Sequence, residues 1–151
     1  MPPIRVFIAD RDPRRAELCL RLLTGAMGIR VVGTARDAED AVAGAALKPH
    51  VLLFDLGMNQ KNNIPALMLI RTKRPHTKVI LLTGRASDAQ ILEGISLGAR
   101  GYLESSLVRR FVVKAVRAVN GGESWVPRAM VAKIIDRLAR FNLEKMRSRS
   151  T

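Results

Sequence analysis

The sequence predicts an α/β fold in which helices cover both faces of a parallel sheet. Three short runs, at residues 4–9, 51–54 and 79–82, consist almost entirely of apolar side chains, which is typical of strands buried on both faces of a sheet. Helical patterns separate these runs, and the alternation predicts an open, doubly wound sheet of five strands. At 151 residues the chain is long enough to bury a core around such a sheet.

The individual elements follow in order along the chain. Besides the three apolar runs, weaker strands are predicted at 30–35 and 101–103, and helices at 13–23, 38–47, 64–72, 88–97 and 108–119. Capping residues stand at the predicted helix ends, with Asp12-Pro13, Asp37 and Ser87 at amino ends and Gly98 and Gly121-Gly122 at carboxyl ends. The capping oxygens would accept from free N–H groups, and the glycines would adopt the left-handed conformation that ends many helices.

A further amphipathic helix is predicted beyond the fifth helix, at residues 128–145. Its apolar stripe consists of Val131, Ile134, Ile135, Leu138 and Phe141. That stripe must fold back on the domain, pair with a second copy, or lead to an output domain. We expect one domain at residues 1–122, followed at 123–151 by a linker and this helix, which could lead to an output domain absent from this sequence.

The chain is strongly basic, with a formal net charge of +13. Residues 127–151 carry seven Lys/Arg and two Asp/Glu, or +5, so the remaining residues carry +8. Such a surface favours polyanions such as DNA or an acidic partner, and it agrees equally with a solvated, arginine-rich surface. The Arg14-Arg15 and Arg109-Arg110 pairs are interpreted as solvated helix faces.

Composition also excludes several classes of protein. The single Cys19 cannot form an internal disulfide, and with His50 and His76 it does not form the clustered set that zinc needs. The apolar runs are too short to span a bilayer, and the amino terminus has no signal-peptide pattern. We expect a cytoplasmic protein that does not contact a membrane.

Polar residues follow several predicted strands, where a doubly wound sheet places its ligand site. Asp10 follows the first strand, Asp55 the third and Thr83 the fourth, and the segment 102–105 contains the end of the fifth. The carboxyl ends of parallel strands share one edge of a sheet. These side chains are therefore expected to converge.

Four segments in this order and spacing resemble response-regulator receiver domains of the NarL/FixJ (LuxR-type) family. They read Ile4-Arg-Val-Phe-Ile-Ala-Asp10, Pro49-His-Val-Leu-Leu-Phe-Asp55-Leu-Gly-Met58, Val79-Ile-Leu-Leu-Thr83 and Leu97-Gly-Ala-Arg-Gly-Tyr-Leu103. A fifth segment, Asn120-Gly-Gly-Glu-Ser-Trp-Val-Pro127, resembles the exit from the fifth helix in that subfamily. The resemblance implies a receiver (flavodoxin-like) sheet of order 2-1-3-4-5 in a two-component system, with a histidine kinase as partner and transcription as the output.

The resemblance also implies roles for single residues. Asp55 stands at the phosphoacceptor position, and Asp10 at the first of two acidic positions that would hold Mg²⁺ together with Asp55. Thr83 matches the residue that contacts the phosphoryl group, and Tyr102 matches the switch aromatic. Ser105 stands where a lysine is expected.

The pocket departs from the family pattern because Arg11 replaces the second acidic residue. We expect Mg²⁺ binding to be weak or absent, since the metal needs hard oxygen ligands. Arg11 could pair with Asp10 or Asp55 and partly replace the metal, or point to solvent. Asp12 could supply the missing carboxylate, although an Asp before a proline favours a helix cap. In the following loop, Met58-Asn-Gln60 departs from the usual sequence, and Asn63 is expected to tolerate a positive φ in place of a glycine.

The leading hypothesis is an atypical receiver that forms a dimer and regulates transcription through a missing output domain. Its Asp55 is expected to be phosphorylated weakly or not at all. The alternatives are a phosphorylation-competent receiver that uses Asp12 for metal, a basic polyanion-binding module, and an Asp-based phosphatase suggested by Asp10-Arg-Asp12. Arg14 occupies the Thr or Val position that such phosphatases require, so we expect no enzymatic activity.

Overall fold

The computed structural model describes residues 2–58 and 63–150 and confirms the predicted fold. Five parallel strands form one sheet of order β2-β1-β3-β4-β5. The strands are β1 Ile4–Ala9, β2 Ile29–Ala35, β3 Val51–Asp55, β4 Lys78–Thr83 and β5 Gly101–Glu104.

Six α-helices accompany the sheet within the described residues. They are α1 Pro13–Thr24, α2 Ala38–Gly44, α3 Ile64–Lys73, α4 Asp88–Ser96, α5 Ser105–Asn120 and α6 Arg128–Ser150. The helix predicted at 38–47 is shorter, since its last turn, Ala45–Leu47, tightens into a 3-10 helix. Helix α5 begins three residues earlier than predicted and α6 continues beyond residue 145. None of the described helices, the long α6 included, combines the length and hydropathy that crossing a bilayer requires.

The core has two layers because alternate residues of each strand face opposite sides of the sheet. In β1, Val6 and Ile8 pack with the buried faces of α1 and α5, whereas Phe7 and Ala9 pack with α2, α3 and α4. The central strands β3 and β4 are buried almost throughout. Burial on both faces explains their continuous apolar sequences.

The caps form largely as the sequence predicts. Asp12 accepts from the backbone N–H groups of Arg14 and Arg15, Asp37 caps α2, and Ser87 forms a reciprocal capping box with Gln90. Gly98 has a φ of 104° and Gly122 a φ of 97°. Gly121 has a φ of −78°, so Gly122 alone of the Gly121-Gly122 pair is left-handed.

Helix α6 folds back on the domain beside β5. Trp125 anchors its approach, because the backbone N–H of Trp125 donates to Arg100 O (2.9 Å) and Trp125 O accepts from Tyr102 N (3.0 Å). Met130 is 4% exposed and packs with Tyr102 in the core. Lys133 also pairs with Asp88 of α4.

The predicted apolar stripe of α6 is divided between two environments. Ile134 is partly buried against the core. The other four residues are between 42% and 61% exposed, namely Val131, Ile135, Leu138 and Phe141. Met130, which precedes the predicted stripe, is four residues from Ile134 and so shares its helix face.

Candidate functional site

The structure brings three predicted site residues to the carboxyl edge of the sheet. Asp10 follows β1, Asp55 ends β3 and Thr83 ends β4, and they are 0%, 5% and 4% exposed. Strands β1 and β3 are hydrogen-bonded neighbours, so the two carboxylates lie side by side. Two neighbouring carboxylates in a buried site require a cation or hydrogen-bond donors to offset their charge.

Arg15 is the cation that fills this position. Its Nε lies 2.6 Å from Asp10 Oδ2 and its Nη2 2.8 Å from Asp10 Oδ1. The same Nη2 lies 3.1 Å from Asp55 Oδ1. The two-pronged contact with Asp10 is the geometry in which a guanidinium binds a carboxylate most strongly.

The start of α1 aims the Arg15 side chain at the sheet edge. Asp12 caps the helix and Pro13 occupies its first position, so Arg15 lies in the first turn. Helical side chains lean towards the amino end of their helix, which here is the end next to Asp10. Arg15 is only 7% exposed.

Arg11 does not provide this charge. Its backbone N–H donates to Asp55 Oδ2 at 3.1 Å, while its side chain is exposed and forms no ion pair within residues 2–58 and 63–150. Of the two predictions for Arg11, the solvent-facing one is correct. The interpretation of Arg14-Arg15 as a solvated pair is wrong for Arg15.

A helical period in the sequence could have identified Arg15. Arg15, Cys19 and Leu23 are spaced by four residues and form the buried face of α1. An arginine in phase with a buried face needs an anionic partner, and Asp10 and Asp12 are the acidic residues at that end of the helix.

Burial and charge oppose each other in this cluster. Burial raises the pKa of Asp10 to about 6, with a further contribution from the charge of Asp55, and these effects outweigh the hydrogen bonds and charge of Arg15. Burial disfavours the charged form of Arg15 also, but the hydrogen bond and charge of Asp10, together with Asp55 and Asp12, raise the pKa of Arg15. The guanidinium therefore keeps its proton, and Asp10 is the group that titrates.

Ser105 joins the cluster through Arg15. The hydroxyl of Ser105 accepts from Arg15 Nη1 at 2.7 Å and donates to the carbonyl oxygen of Thr83 at 3.2 Å. Ser105 is the first residue of α5. One arginine thus reaches both the metal position and the position where the resemblance expects a lysine.

The loop after β3 is held by Asn63 and by backbone groups. Gly57 N–H donates to Asp55 Oδ1 at 2.8 Å, and Asn63 Nδ2 donates to the carbonyl oxygens of Met58 at 2.7 Å and Asp55 at 3.3 Å. Asn63 has a φ of −88°, so the expected positive φ is wrong and its buried amide is what serves the loop. Residues 59 and 60 of the predicted departure lie outside the described residues.

Tyr102 is buried on the side of the sheet covered by α4 and α6. It is 8% exposed and packs in the same cluster as Ile91 and Met130. Burial, with the nearby charges of Glu104 and Asp88, raises its pKa. Helix α6 therefore covers the predicted switch aromatic.

The carboxylate oxygens at the ends of β1 and β3 are not free to bind a divalent metal ion in this arrangement. Each oxygen of Asp10 accepts a hydrogen bond from Arg15, and Asp12, the other acidic candidate, is engaged as the cap of α1. Within the described ranges, no three His, Cys, Asp or Glu side chains form a group that could hold a metal. A guanidinium and Mg²⁺ would compete for the same space and the same carboxylates.

Comparison with known proteins finds related sequences and folds. The sequence model of the response regulator receiver domain family matches residues 6–117 of this chain. Two transcriptional regulatory proteins of Bacillus subtilis, YxjL (uncharacterized) and LnrK, are 34% and 31% identical to the chain over 87% and 88% of its length. The chain spans 61% of the length of each.

A solved structure shows the same fold. The signal receiver domain of the response regulator NarL from Mycobacterium tuberculosis superposes with a TM-score of 0.74 at 27% sequence identity. The superposition covers 82% of this chain and all of that one.

Proposed function

Because this chain belongs to the response regulator receiver domain family, we propose that it is an atypical receiver in which Arg15 replaces the metal ion. The observation that carries the proposal is the contact of one buried guanidinium with Asp10, Asp55 and Ser105. In this reading Mg²⁺ binding is weak or lost, and Asp55 is phosphorylated weakly or not at all.

The chemistry of phosphoryl transfer supports this reading. An aspartate must approach an anionic phosphoryl donor, and this requires positive charge that binds both the carboxylate and the transferred oxygens. Here the donors of Arg15 are directed at protein acceptors, and Asp55 Oδ1 already accepts from Gly57 N–H and Arg15. The fixed charge stabilises the carboxylates and leaves Asp55 a poor nucleophile.

The proposal is tested by intact-protein mass spectrometry after incubation with acetyl phosphate and Mg²⁺. The wild-type chain should gain no phosphoryl group. The triple variant Arg11→Asp, Arg15→Gln, Ser105→Lys restores the acidic and cationic positions and should be labelled, and adding Asp55→Asn should abolish that label. The matched control replaces Arg15→Gln with Arg14→Gln, which removes the same charge from an exposed neighbour and should stay unlabelled.

Rapid, Mg²⁺-dependent labelling of wild-type Asp55 would contradict the proposal. It would favour the alternative in which Arg15 moves aside and Asp12 provides a metal carboxylate. In that case Asp12→Asn, which retains an oxygen able to cap α1, should reduce the labelling.

The biological output follows from the relatives as a further part of the proposal. YxjL and LnrK are named as transcriptional regulatory proteins and are longer than this chain. We infer that this receiver regulates transcription in the cytoplasm through an output domain outside this chain. It acts as a signalling module rather than an enzyme, and its partners are a histidine kinase and a second copy that pairs through the exposed residues of α6.

A further inference from the structure

A basic cleft of about 400 Å³ lies at the amino-terminal edge of the sheet, opposite the Asp55 site. It forms between the start of β1, the segment before β3 and the segment between α3 and β4. Basic side chains dominate its lining, namely Arg5, Lys48, Lys73 and Arg74 together with His50 and His76. No carboxylate from the described residues lines it.

The two arginines of this cleft are held by backbone carbonyl oxygens, and neither forms an ion pair with a carboxylate of the described residues. Arg5 Nη2 donates to the carbonyl oxygen of Lys48, and Arg74 Nε donates to that of Ala45 at 3.2 Å. Beside the cleft, Lys78 Nζ donates to the carbonyl oxygen of Asn120 at 3.0 Å. Carbonyl partners orient a cation but leave its full charge available to an anion.

One donor in the cleft wall is also unsatisfied. Arg5 Nε is buried and has no hydrogen-bond partner among residues 2–58 and 63–150. A buried donor without a partner is uncommon in folded proteins. The guanidinium of Arg5 is therefore not fully paired with acceptors of the protein.

The walls of the cleft are preorganised. The backbone N–H of Arg5 donates to His50 Nδ1 at 2.9 Å, and Thr77 Oγ1 donates to the carbonyl oxygen of Pro49 at 2.8 Å. Lys48 has a φ of 54°, a left-handed conformation that residues other than glycine seldom adopt. A lysine therefore occupies a backbone position that glycine or asparagine would fill with less strain.

The ionisation of His50 is affected by the charges of these groups. Partial burial, followed by the positive charges of Arg5 and Lys78, lowers the pKa of His50. An anion in the cleft would oppose that field and favour the protonated imidazole. The pKa of His50 should therefore rise when an anion occupies the cleft.

We propose that this cleft binds a small phosphate-bearing anion of about the size of a diphosphate. Arginine forks and lysine ammonium groups are the side chains that best recognise phosphate oxygens. The volume falls within the usual range of small-ligand sites, and a concave pocket of this size suits a free anion better than the extended backbone of a duplex. The site lies at the opposite end of the strands from Asp55, so the phosphoacceptor is not part of it.

The test uses inorganic pyrophosphate as the probe and follows the His50 ring by NMR. Saturable, sub-millimolar binding should raise the pKa of His50. The variant Lys48→Asn, Lys73→Gln should weaken binding by about tenfold, because two charge-assisted contacts are lost. Asparagine tolerates the left-handed conformation at position 48, so the fold should be retained.

The matched control is Lys114→Gln with Lys145→Gln, at two exposed positions outside the cleft. Both double variants lower the net charge from +13 to +11, and the control should keep its affinity within about twofold. Equal weakening in the two variants, or an unchanged His50 pKa at saturation, would overturn the proposal. Binding of duplex DNA that needs Lys48 and Lys73, without binding of pyrophosphate, would also overturn it and assign the cleft to nucleic acid.

Discussion

At the scale of single residues, Arg15 is the side chain that contacts both buried carboxylates at the carboxyl edge of the sheet. A mobile metal ion can be exchanged and can bridge a carboxylate to an incoming phosphoryl group. A guanidinium is attached to α1 by its own side chain, and its N–H groups are directed at Asp10, Asp55 and Ser105. Under the proposed function, the contact that stabilises the two acids also restricts their chemistry.

Arg15→Gln should therefore destabilise the fold by about 3–5 kcal/mol, the usual cost of leaving buried charges unpaired. Mg²⁺ should then restore part of the lost stability, because the ion can bind the freed carboxylates of the folded state alone. Urea denaturation with and without Mg²⁺ measures both effects. The exposed Arg14→Gln variant should change stability by less than about 0.5 kcal/mol, and Mg²⁺ stabilisation of the wild type would contradict the prediction.

The ionisation of Asp10 gives a second prediction. Its pKa rises from an ordinary value of 3.8 to about 6, so the folded protein holds this proton more tightly than the unfolded chain does. Its contribution to stability is thus present below pH 4 and is lost as the pH rises through 6, amounting to about 3 kcal/mol at about 1.4 kcal/mol per pKa unit.

Carboxyl-carbon NMR of Asp10 measures this titration directly. Urea denaturation should also show the stability of the wild type falling relative to Asp10→Asn between pH 4 and pH 6. A midpoint at or below pH 4 would mean that the attraction of Arg15 outweighs burial, contrary to the prediction.

Side-chain types and strand order were enough to predict which acidic residues converge. They were not enough to predict which cation offsets the negative charge of those residues. Asp10, Asp55 and Thr83 each follow a strand, so the topology alone brings them to one edge. Arg15 and Asn63 act through side-chain direction and burial, which depend on how α1 and the loop after β3 pack. Neither property is visible in a list of residue types at motif positions.

At the scale of elements, α6 carries half of the exposed large apolar side chains among the described residues. Met130 and Ile134 attach one face of it to the core beside Tyr102, while Ile135, Leu138 and Phe141 are each more than half exposed. The sequence predicted the helix and its amphipathic character. The sequence could not show which residues of the stripe are buried and which are exposed, because that depends on where β5 and α4 place the helix.

If α6 pairs between copies, Ile135→Glu or Leu138→Glu should convert a dimer into a monomer with an unchanged fold. Each large aliphatic side chain buried at such a contact stabilises it by roughly 1.5–3 kcal/mol, and a carboxylate there would lose this and add a desolvation cost. Light scattering measures the mass and circular dichroism checks the fold. Arg140→Glu, on the exposed opposite face of the same helix, should leave the dimer intact.

A wild-type chain that is already monomeric at the tested concentration would exclude self-pairing there. Ile135 is the cleaner of the two sites. Leu138 lines a small cleft with Leu92 and Ile95 of α4, so a charge at Leu138 also weakens the attachment of α6 to its own domain.

At the scale of the whole molecule, the two clusters of charged side chains lie at opposite ends of the strands. The carboxyl edge holds the two acids with Arg15, and the amino edge holds the basic cleft. Strand alternation, family resemblance and capping residues predicted the architecture and the acidic edge. The cleft was not predicted, because Arg5, Lys48 and Arg74 come from three separate segments that only the folded sheet brings together.

The net charge of +13 predicts binding of the chain to duplex DNA that is weak, insensitive to sequence and strongly dependent on salt. Residues 127–151 carry +5 and the remaining residues +8, so the positive charge is spread over the domain rather than gathered on one helix that could enter a groove. Attraction of this kind releases counterions and gives dissociation constants of about 10⁻⁴–10⁻⁶ M at physiological salt.

Fluorescence anisotropy with two duplexes of unrelated sequence, over a range of salt concentrations, measures these properties. The two affinities should agree at each salt concentration and fall together as salt increases, since phosphate contacts position a protein without reading bases. Sub-micromolar binding that distinguishes the two duplexes at physiological salt would contradict the prediction. Base-reading contacts would then have to lie on the receiver itself, and the chain would act on DNA directly instead of through an output domain.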